Sequence, residues 1–499
     1  MEYHCIFIVY VETVIIIICI NTQFKMTNKK QHSPPPLWLS LLPLVFLSIS
    51  FGVILSVWGM DYIAVFSSVA LLASALMCVA VSALSGRFSR GAIAGGIRKS
   101  ASQVLPAVPL LILIALISSV WMLSGVVPAM IHYGLSIISP SMFPVLAFAI
   151  CAGVSMVSGS SWTTIGTIGV AFIGIGGALG YGMGWTAGAI ISGAYLGDKV
   201  SPLSDTTVVA ASSCGVDTLK HVRYMLGLTW PAIVITAIVY IAVGLLHDGG
   251  MTDDSVEEIR GALNSVFGIS GWLLIIPLIT GIMIALRIKT IITLGLSVLI
   301  GLVSIFLFQP QIAEMLGGVG AVFKVLWSGA EIEAGSAQLQ ALTSTSGFIG
   351  MLPTISLVLS AMIFGGLMLG TGMLETITKA LTRRIKGPIT TVSATTGSGL
   401  LLVACTSDQY LSLIVGGNMY KRHYEKHDMP PCLLSSTLES GVTVTSPLLP
   451  WSSCGLAHAA VLDVSALVYA PFALFCWLSP AITILLVKIR SKRRTLQCA

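Results

Sequence analysis

The stretch 193–216, GAYLGDKVSPLSDTTVVAASSCGV, holds Asp198, Lys199 and Asp205 within eight positions, among glycines, a proline and a crowd of hydroxyls. Only 9% of the chain is Asp, Glu, Lys or Arg. Ionisable groups set into so apolar a neighbourhood point to function. Ser201, Ser204, Thr206 and Thr207 add hydroxyl oxygens to the two carboxylates. Such oxygens, with backbone carbonyls, form the hard cage that a small cation such as sodium prefers, by analogy with other hard cations. A partly buried carboxylate also binds protons more readily than one in water, so that proton and cation compete for the same group. Asp205 is the first candidate for that group and Asp198 the second. Lys199 is the candidate counter-ion that replaces the cation when the site is empty.

Three further stretches carry comparable chemistry. Residues 158–164 read SGSSWTT and supply Ser161 and Thr163; residues 405–412 read CTSDQYLS and supply Thr406, Ser407 and Asp408. Residues 438–455, LESGVTVTSPLLPWSSCG, supply Glu439 and Ser446 along with Thr443 and Thr445. These groups are candidates for completing the cage or for a second site. Each has a plainer reading beside it. Asp205 could serve only as a helix cap, and Asp198 with Lys199 could be a local ion pair that holds the chain break together. Asp408 and Glu439 are evenly balanced between ligand and structural roles, and Asp217 and Asp463 are expected at the interface. His132 and His458 stand alone in apolar segments, where a hydrogen-bonded packing role competes with pH sensing. Trp162 and Trp451 flank the polar breaks, lining the path or anchoring the interface.

The elements that must position these groups are membrane helices. The 499 residues are 55% hydrophobic with fifty glycines, and the mean hydropathy is +0.94. Uncharged apolar runs such as 64–84 are too long for barrel strands, and small residues let transmembrane helices approach closely. The fold class is therefore an all-α polytopic membrane protein. The net charge of +6 sits in short basic clusters between apolar runs, which encodes topology rather than nucleic-acid binding. The ten cysteines are scattered singly, without a CxxC pair, and read as reduced core residues.

Residues 1–36 form an N-terminal extension in which translation is expected to begin at Met26. A first transmembrane repeat occupies 37–247, an acidic external loop 248–270, and a second repeat 271–490, with 309–347 as an extramembrane insertion. Residues 491–499 complete a basic cytoplasmic tail. The basic segments near 25–30 and 86–99 are placed inside and Asp61 outside by the positive-inside rule. Within each repeat a polar break is followed, at nearly equal distance, by Ser-Pro-Leu: Ser161 by 201–203, and Ser407 by 446–448. Pro202 disfavours helical backbone at Ser201 and removes a donor. Corresponding interrupted segments in two halves point to discontinuous helices meeting near the midplane. The two repeats are expected to be inverted, which requires an odd number of spans in each.

GDKVSPLSDTT, GSSWTTIGTIG, TSDQYLS and LESGVTVTSPLLPW together resemble the signature stretches of the NhaC-type sodium/proton antiporters, within the ion transporter superfamily. The resemblance covers about residues 37–490. It implies a multi-pass exchanger of the inner, or plasma, membrane that brings sodium and protons to one site between two repeats, with no cofactor. The insertion at 309–347, residues 1–25 and GGNMYK at 416–421 depart from the pattern. The malate/sodium-lactate antiporters share nearly the same motifs, so a sodium- or proton-coupled organic-anion exchanger is the alternative. All arginines fall outside the apolar spans, which favours simple exchange of sodium, or lithium, for protons. The expected partners are Na+, H+ and the lipid bilayer, a homodimer being left open. An enzyme is not expected: GxSxG, HExxH and GxxxxGK[ST] are all missing.

Overall fold

The computed structural model describes residues 35–492, apart from 59–62, 87–88, 248–252, 287, 330–346, 383–384 and 386. Helices make up its secondary structure, and no strand occurs among the described residues. The first half holds α1 (Leu37–Trp58), α2 (Ile63–Leu84), α3 (Arg90–Val104), α4 (Val108–Leu123), α5 (Val126–Ile137), α6 (Phe143–Ser158), α7 (Ser161–Ala178), α8 (Met183–Val200), α9 (Asp205–Cys214) and α10 (Thr218–Leu246). The second half holds α11 (Asp253–Val266), α12 (Ile275–Ala285), α13 (Thr290–Phe308), α14 (Pro310–Met315), α15 (Val319–Ser328), α16 (Gly347–Gly370), α17 (Met373–Thr382), α18 (Pro388–Thr406), α19 (Gln409–Lys426), α20 (Pro431–Leu438), α21 (Ser453–Leu462), α22 (Ala466–Tyr469) and α23 (Leu474–Lys492). Among the described residues, eight helices are long and apolar enough to cross a membrane. Three helix pairs bent by 68°, 94° and 93° would raise the number of spans to 11. The chain is a multi-pass helical membrane protein.

Glycine sets how closely these helices approach. A Cβ on Gly197 of α8 would lie 2.2 Å from the Ala152 carbonyl oxygen of α6, and one on Gly96 of α3 would lie 2.2 Å from the Gly366 oxygen of α16. Such separations exclude any side chain, and they bring backbone against backbone. The basic stretch 86–99 enters helix α3, whose Gly96 and Ile97 are buried against α16. Arg90, Arg98 and Lys99 face outward from it. In the segment 309–347, α15 buries Val322, Val325 and Leu326 and packs on α16 and α4. Residues 1–34, including Met26, lie outside the described residues, as does the tail from 493. The seven described cysteines are all buried.

The breaks read from sequence are real interruptions. Between α6 and α7 the chain reverses its helical sense for one residue at Gly159, φ +66°, and Ser160 then caps α7 by accepting from the Thr163 amide at 3.2 Å. Between α8 and α9 it runs extended through Ser201, and Ser204 caps α9 by accepting from the Thr207 amide. Between α18 and α19 Ser407 takes φ +58°, and Asp408 caps α19 with a 2.7 Å bond from the Leu411 amide. After α20 the backbone passes through a π turn, Glu439–Thr443, and a short 3-10 turn, Ser446–Leu448, before Ser452 caps α21. A second π turn, Ile165–Gly169, lies within α7. Such π turns cluster at functional sites.

Candidate functional site

The four breaks pack against one another, and hydroxyls tie them together. Ser201 Oγ donates to the Met156 carbonyl of α6 at 2.7 Å, and Ser155 Oγ donates to the Ala194 carbonyl of α8 at 2.6 Å. Thr207 Oγ1 lies 3.3 Å from the Asp198 carbonyl and 3.2 Å from that of Lys199, satisfying oxygens that α8 leaves open where it ends. In the other half the Ser453 amide donates to the Ser407 carbonyl at 2.8 Å, and Ser446 Oγ donates to the Thr443 carbonyl at 2.7 Å. Ser446 Oγ also lies 3.4 Å from Gln409 Oε1. Carbonyls at the breaks are thereby bonded to neighbouring hydroxyls.

The ionisable groups separate into distinct environments. Asp198, at the end of α8, is buried and accepts a 2.8 Å hydrogen bond on Oδ2 from Ser161 Oγ. Lys199, its neighbour in sequence, points elsewhere. Its fully buried Nζ donates to Ser440 Oγ at 2.6 Å and Ser479 Oγ at 2.7 Å. Ser440 Oγ in turn lies 3.1 Å from Thr483 Oγ1. Glu439, fully buried in its π turn, accepts on Oε1 from Thr206 Oγ1 at 3.0 Å, whereas Oε2 has no hydrogen-bond partner. Among the described residues none of these three groups makes an ion pair within 4.0 Å. Opposite charges brought together in a low dielectric without direct pairing are costly unless the protons or a bound ion balance them.

Asp205 follows the Ser204 cap as the first residue of α9, and it is exposed on the wall of a cavity of about 980 Å³. That cavity descends past Ser160, Thr163, Ser204 and Thr206 to Ser161 and Asp198. The second half contributes Gln409 and Tyr410, and Lys289 stands in the wall. Thr163 Oγ1 donates to Ser160 Oγ at 3.0 Å. Thr206 thus lines the cavity on one side and holds Glu439 on the other, so Glu439 lies one hydroxyl behind the wall. Asp408 is buried, but its Oδ1 is committed to the cap of α19; Thr406 Oγ1 bonds Ser412 Oγ at 2.8 Å and the Asp408 amide at 3.2 Å. Ser407 Oγ and Thr443 Oγ1 are buried without partners. Orphaned buried oxygens are rare, and one explanation for them is an ion or water that belongs there.

Sequence reasoning named all three carboxylates that line or back the cavity, Asp198, Asp205 and Glu439. It missed Ser440, Ser479 and Thr483 around Lys199. Ser479 and Thr483 lie one helical turn apart on α23, a spacing that marks one face but nothing more, since the helix carries no break. Of the histidines, His458 is buried with Nε2 2.8 Å from Tyr195 Oη, and His132 accepts from Arg260 Nη2 at 3.3 Å. Trp451 Nε1 donates to the Ala404 carbonyl at 3.0 Å.

Two helix pairs broken at opposed polar turns, with buried carboxylates between them, invite comparison with known proteins. A family profile described as "Na+/H+ antiporter family" matches residues 12–226 and 193–489. The chain belongs to the Na+/H+ antiporter family. It is 36% identical to the Na(+)/H(+) antiporter NhaC of Alkalihalophilus pseudofirmus over 82% of this chain and 88% of that one. It is 35% identical to the malate-2H(+)/Na(+)-lactate antiporter of Bacillus subtilis over 76% of this chain and 79% of the relative. The arginine/ornithine antiporter ArcD of Halobacterium salinarum is 32% identical over 78% of this chain and 80% of its own. Family membership thus sets the class as a membrane antiporter, and the relatives carry both inorganic and organic cargo by name.

Proposed function

We propose that this protein exchanges sodium ions, and lithium as the smaller congener, for protons across the plasma membrane, with Asp198 as the carboxylate that holds one or the other. The observation that carries the reading is the pair of buried carboxylates at the breaks. Asp198 forms the floor of a wide cavity, and Glu439 stands behind Thr206 with one oxygen unsatisfied. Asp205 in the cavity wall draws cations inward, because carboxylates set against low-dielectric walls raise the local concentration of counter-ions. A sodium ion at the floor takes oxygens from Asp198 and Ser161, and Glu439, Thr443 and Ser407 supply further oxygens as the breaks close on it. Protonation of the carboxylates removes the charge that retains the ion, so each cargo expels the other. Lys199, held by Ser440 and Ser479, compensates the carboxylates in the empty site. Neither step calls for a cofactor, and the reading is of a transporter, not an enzyme.

A second reading is an organic-anion exchanger coupled to sodium or protons. Its support is the size of the cavity, about 980 Å³, and the character of its wall: Lys289, with the N-termini of α7 and α9 directed at the same space. Helix N-termini attract carboxylates. The deciding experiment uses respiring inside-out vesicles containing the protein, with the pH gradient monitored as sodium, lithium, potassium, malate and lactate are added singly and in pairs. Sodium alone should collapse the gradient in the parent, and should fail to do so with Asp198→Asn. A gradient that responds only when an organic acid is present would establish the second reading.

A further inference from the structure

A second cavity, of about 430 Å³, lies at the other end of the helices that line the first. Along α4 the first cavity takes Leu110, while the second takes Ile114, Ser118 and Met122. Along α7 the first takes Ser161, Trp162 and Thr163, while the second takes Val170, Ile173 and Gly177. Eighteen helical residues span about 27 Å, so the two spaces open toward opposite ends of α7. Asp463, the residue that ends α21 with φ +53°, stands exposed at the second cavity.

A thin layer of side chains divides the two. The π turn Ile165–Gly169 of α7 occupies this level. A Cβ on Gly166 would lie 3.0 Å from Ile114, and one on Gly169 would lie 3.1 Å from Ile190 and 3.5 Å from Leu462. On the side toward Asp198 the layer is polar. His458 of α21 bonds Tyr195 Oη of α8 at 2.8 Å, and Trp162 of α7 meets the His458 ring edge-on with centroids 5.8 Å apart. Three helices, each belonging to a broken pair, are therefore joined at one buried hydrogen bond and two edge-on ring contacts. Trp162 Nε1 is buried beside the Cys454 thiol of α21.

We propose that the smaller cavity is the far-side vestibule of the cation path, and that His458, Tyr195 and Trp162 form the closed gate between that vestibule and Asp198. The proposal rests on the antiporter reading for the identity of the cargo, a monovalent cation shedding its water as it passes the gate. Parting the Tyr195–His458 bond and re-forming the π turn one residue on would join the two cavities along the α4–α7 groove.

The test measures accessibility, independently of transport. Single cysteines are placed by Ser118→Cys in the second cavity and Val209→Cys in the first, and right-side-out and inside-out vesicles are treated with a membrane-impermeant thiol reagent, with the parent protein as background. Labelling of the two positions from opposite faces is expected. Labelling of both from one face, or failure of Ser118→Cys to label from either, overturns the vestibule. The gate is then opened by adding Tyr195→Phe or, separately, His458→Ala to Val209→Cys. Either should make Val209→Cys reactive from the far face, roughly fivefold to tenfold faster than with the gate intact, as loss of one buried hydrogen bond predicts. The milder Tyr195→Phe covers the case in which His458→Ala does not fold, and an unchanged far-face rate in Tyr195→Phe overturns the gate. If Ser118→Cys and Val209→Cys label from opposite faces but sodium moves no protons in the parent, the antiporter reading has failed and the two-mouthed path stands.

Discussion

The two halves of the molecule build the same kind of break and use it differently. After α6 the chain turns at Gly159 and is capped by Ser160; after α18 it turns at Ser407 and is capped by Asp408. The corresponding Ser-Pro-Leu turns follow at Ser201 and Ser446. In the first half these turns face an open cavity, with Leu203, Ser204 and Asp205 in its wall, whereas residues 441–448 in the second half are wholly buried. The carboxylates show the same difference. Asp408 spends an oxygen on the cap of its own helix, whereas a serine caps the matching helix, and Asp198, held by Ser161, meets the cavity. A carboxylate in a break is therefore no ligand by position alone; what separates the two is that Asp198 lines the cavity and Asp408 does not.

The largest test of this contrast sets Asp198→Asn against Asp408→Asn. Loss of the Asp198 charge should lower sodium-driven proton movement in vesicles by about tenfold to a hundredfold, the scale of a charged hydrogen-bonded ligand. Asparagine caps helices about as well as aspartate, so Asp408→Asn should stay within about twofold. Equal losses in the two would erase the distinction between capping and binding carboxylates. Next in size is Glu439→Gln, which should raise the sodium concentration for half-maximal exchange by roughly tenfold; an unchanged value would assign Glu439 a structural role.

The turns themselves offer a stability comparison. At Gly159, alanine meets both a left-handed backbone and Leu203, whose carbonyl carbon would lie 2.7 Å from the new Cβ. Gly159→Ala should destabilise the protein by about 1–2 kcal/mol or more. Ser407 occupies the same left-handed conformation without glycine's freedom, so Ser407→Gly should stabilise by up to about 1 kcal/mol in thermal unfolding. Opposite signs would sharpen the equivalence of the two turns; the same sign would break it. The smallest effect is expected for Thr206→Val, which removes one bond from Glu439 while keeping its volume. Sodium affinity should fall by about twofold to tenfold, and a larger loss would mean that Thr206 itself contacts the ion.

Much of this arrangement is legible in the chain. Composition and long uncharged runs require membrane helices, because hydrocarbon tolerates no unpaired backbone. The breaks at Gly159, Pro202 and Pro447 announce themselves locally, since proline and glycine act through their own φ and their own missing atoms. The candidate residues Ser161, Asp198, Thr206 and Glu439 follow from polarity in apolar surroundings. Their division of labour does not. Asp205 and Asp198 flank the same proline, yet one is exposed on the cavity wall and the other is buried at its floor, a difference set by helices distant in sequence. Lys199 adjoins Asp198 in the chain but faces α23 and the π turn of the second half, because successive helical residues point about 100° apart. Likewise Tyr195 and His458 meet across 263 positions. Local chemistry determined where the chain must break and which groups were available to hold an ion. Only the packing of one half against the other, which sets access to water and the partner of each polar atom, decided which of those groups are free to do so.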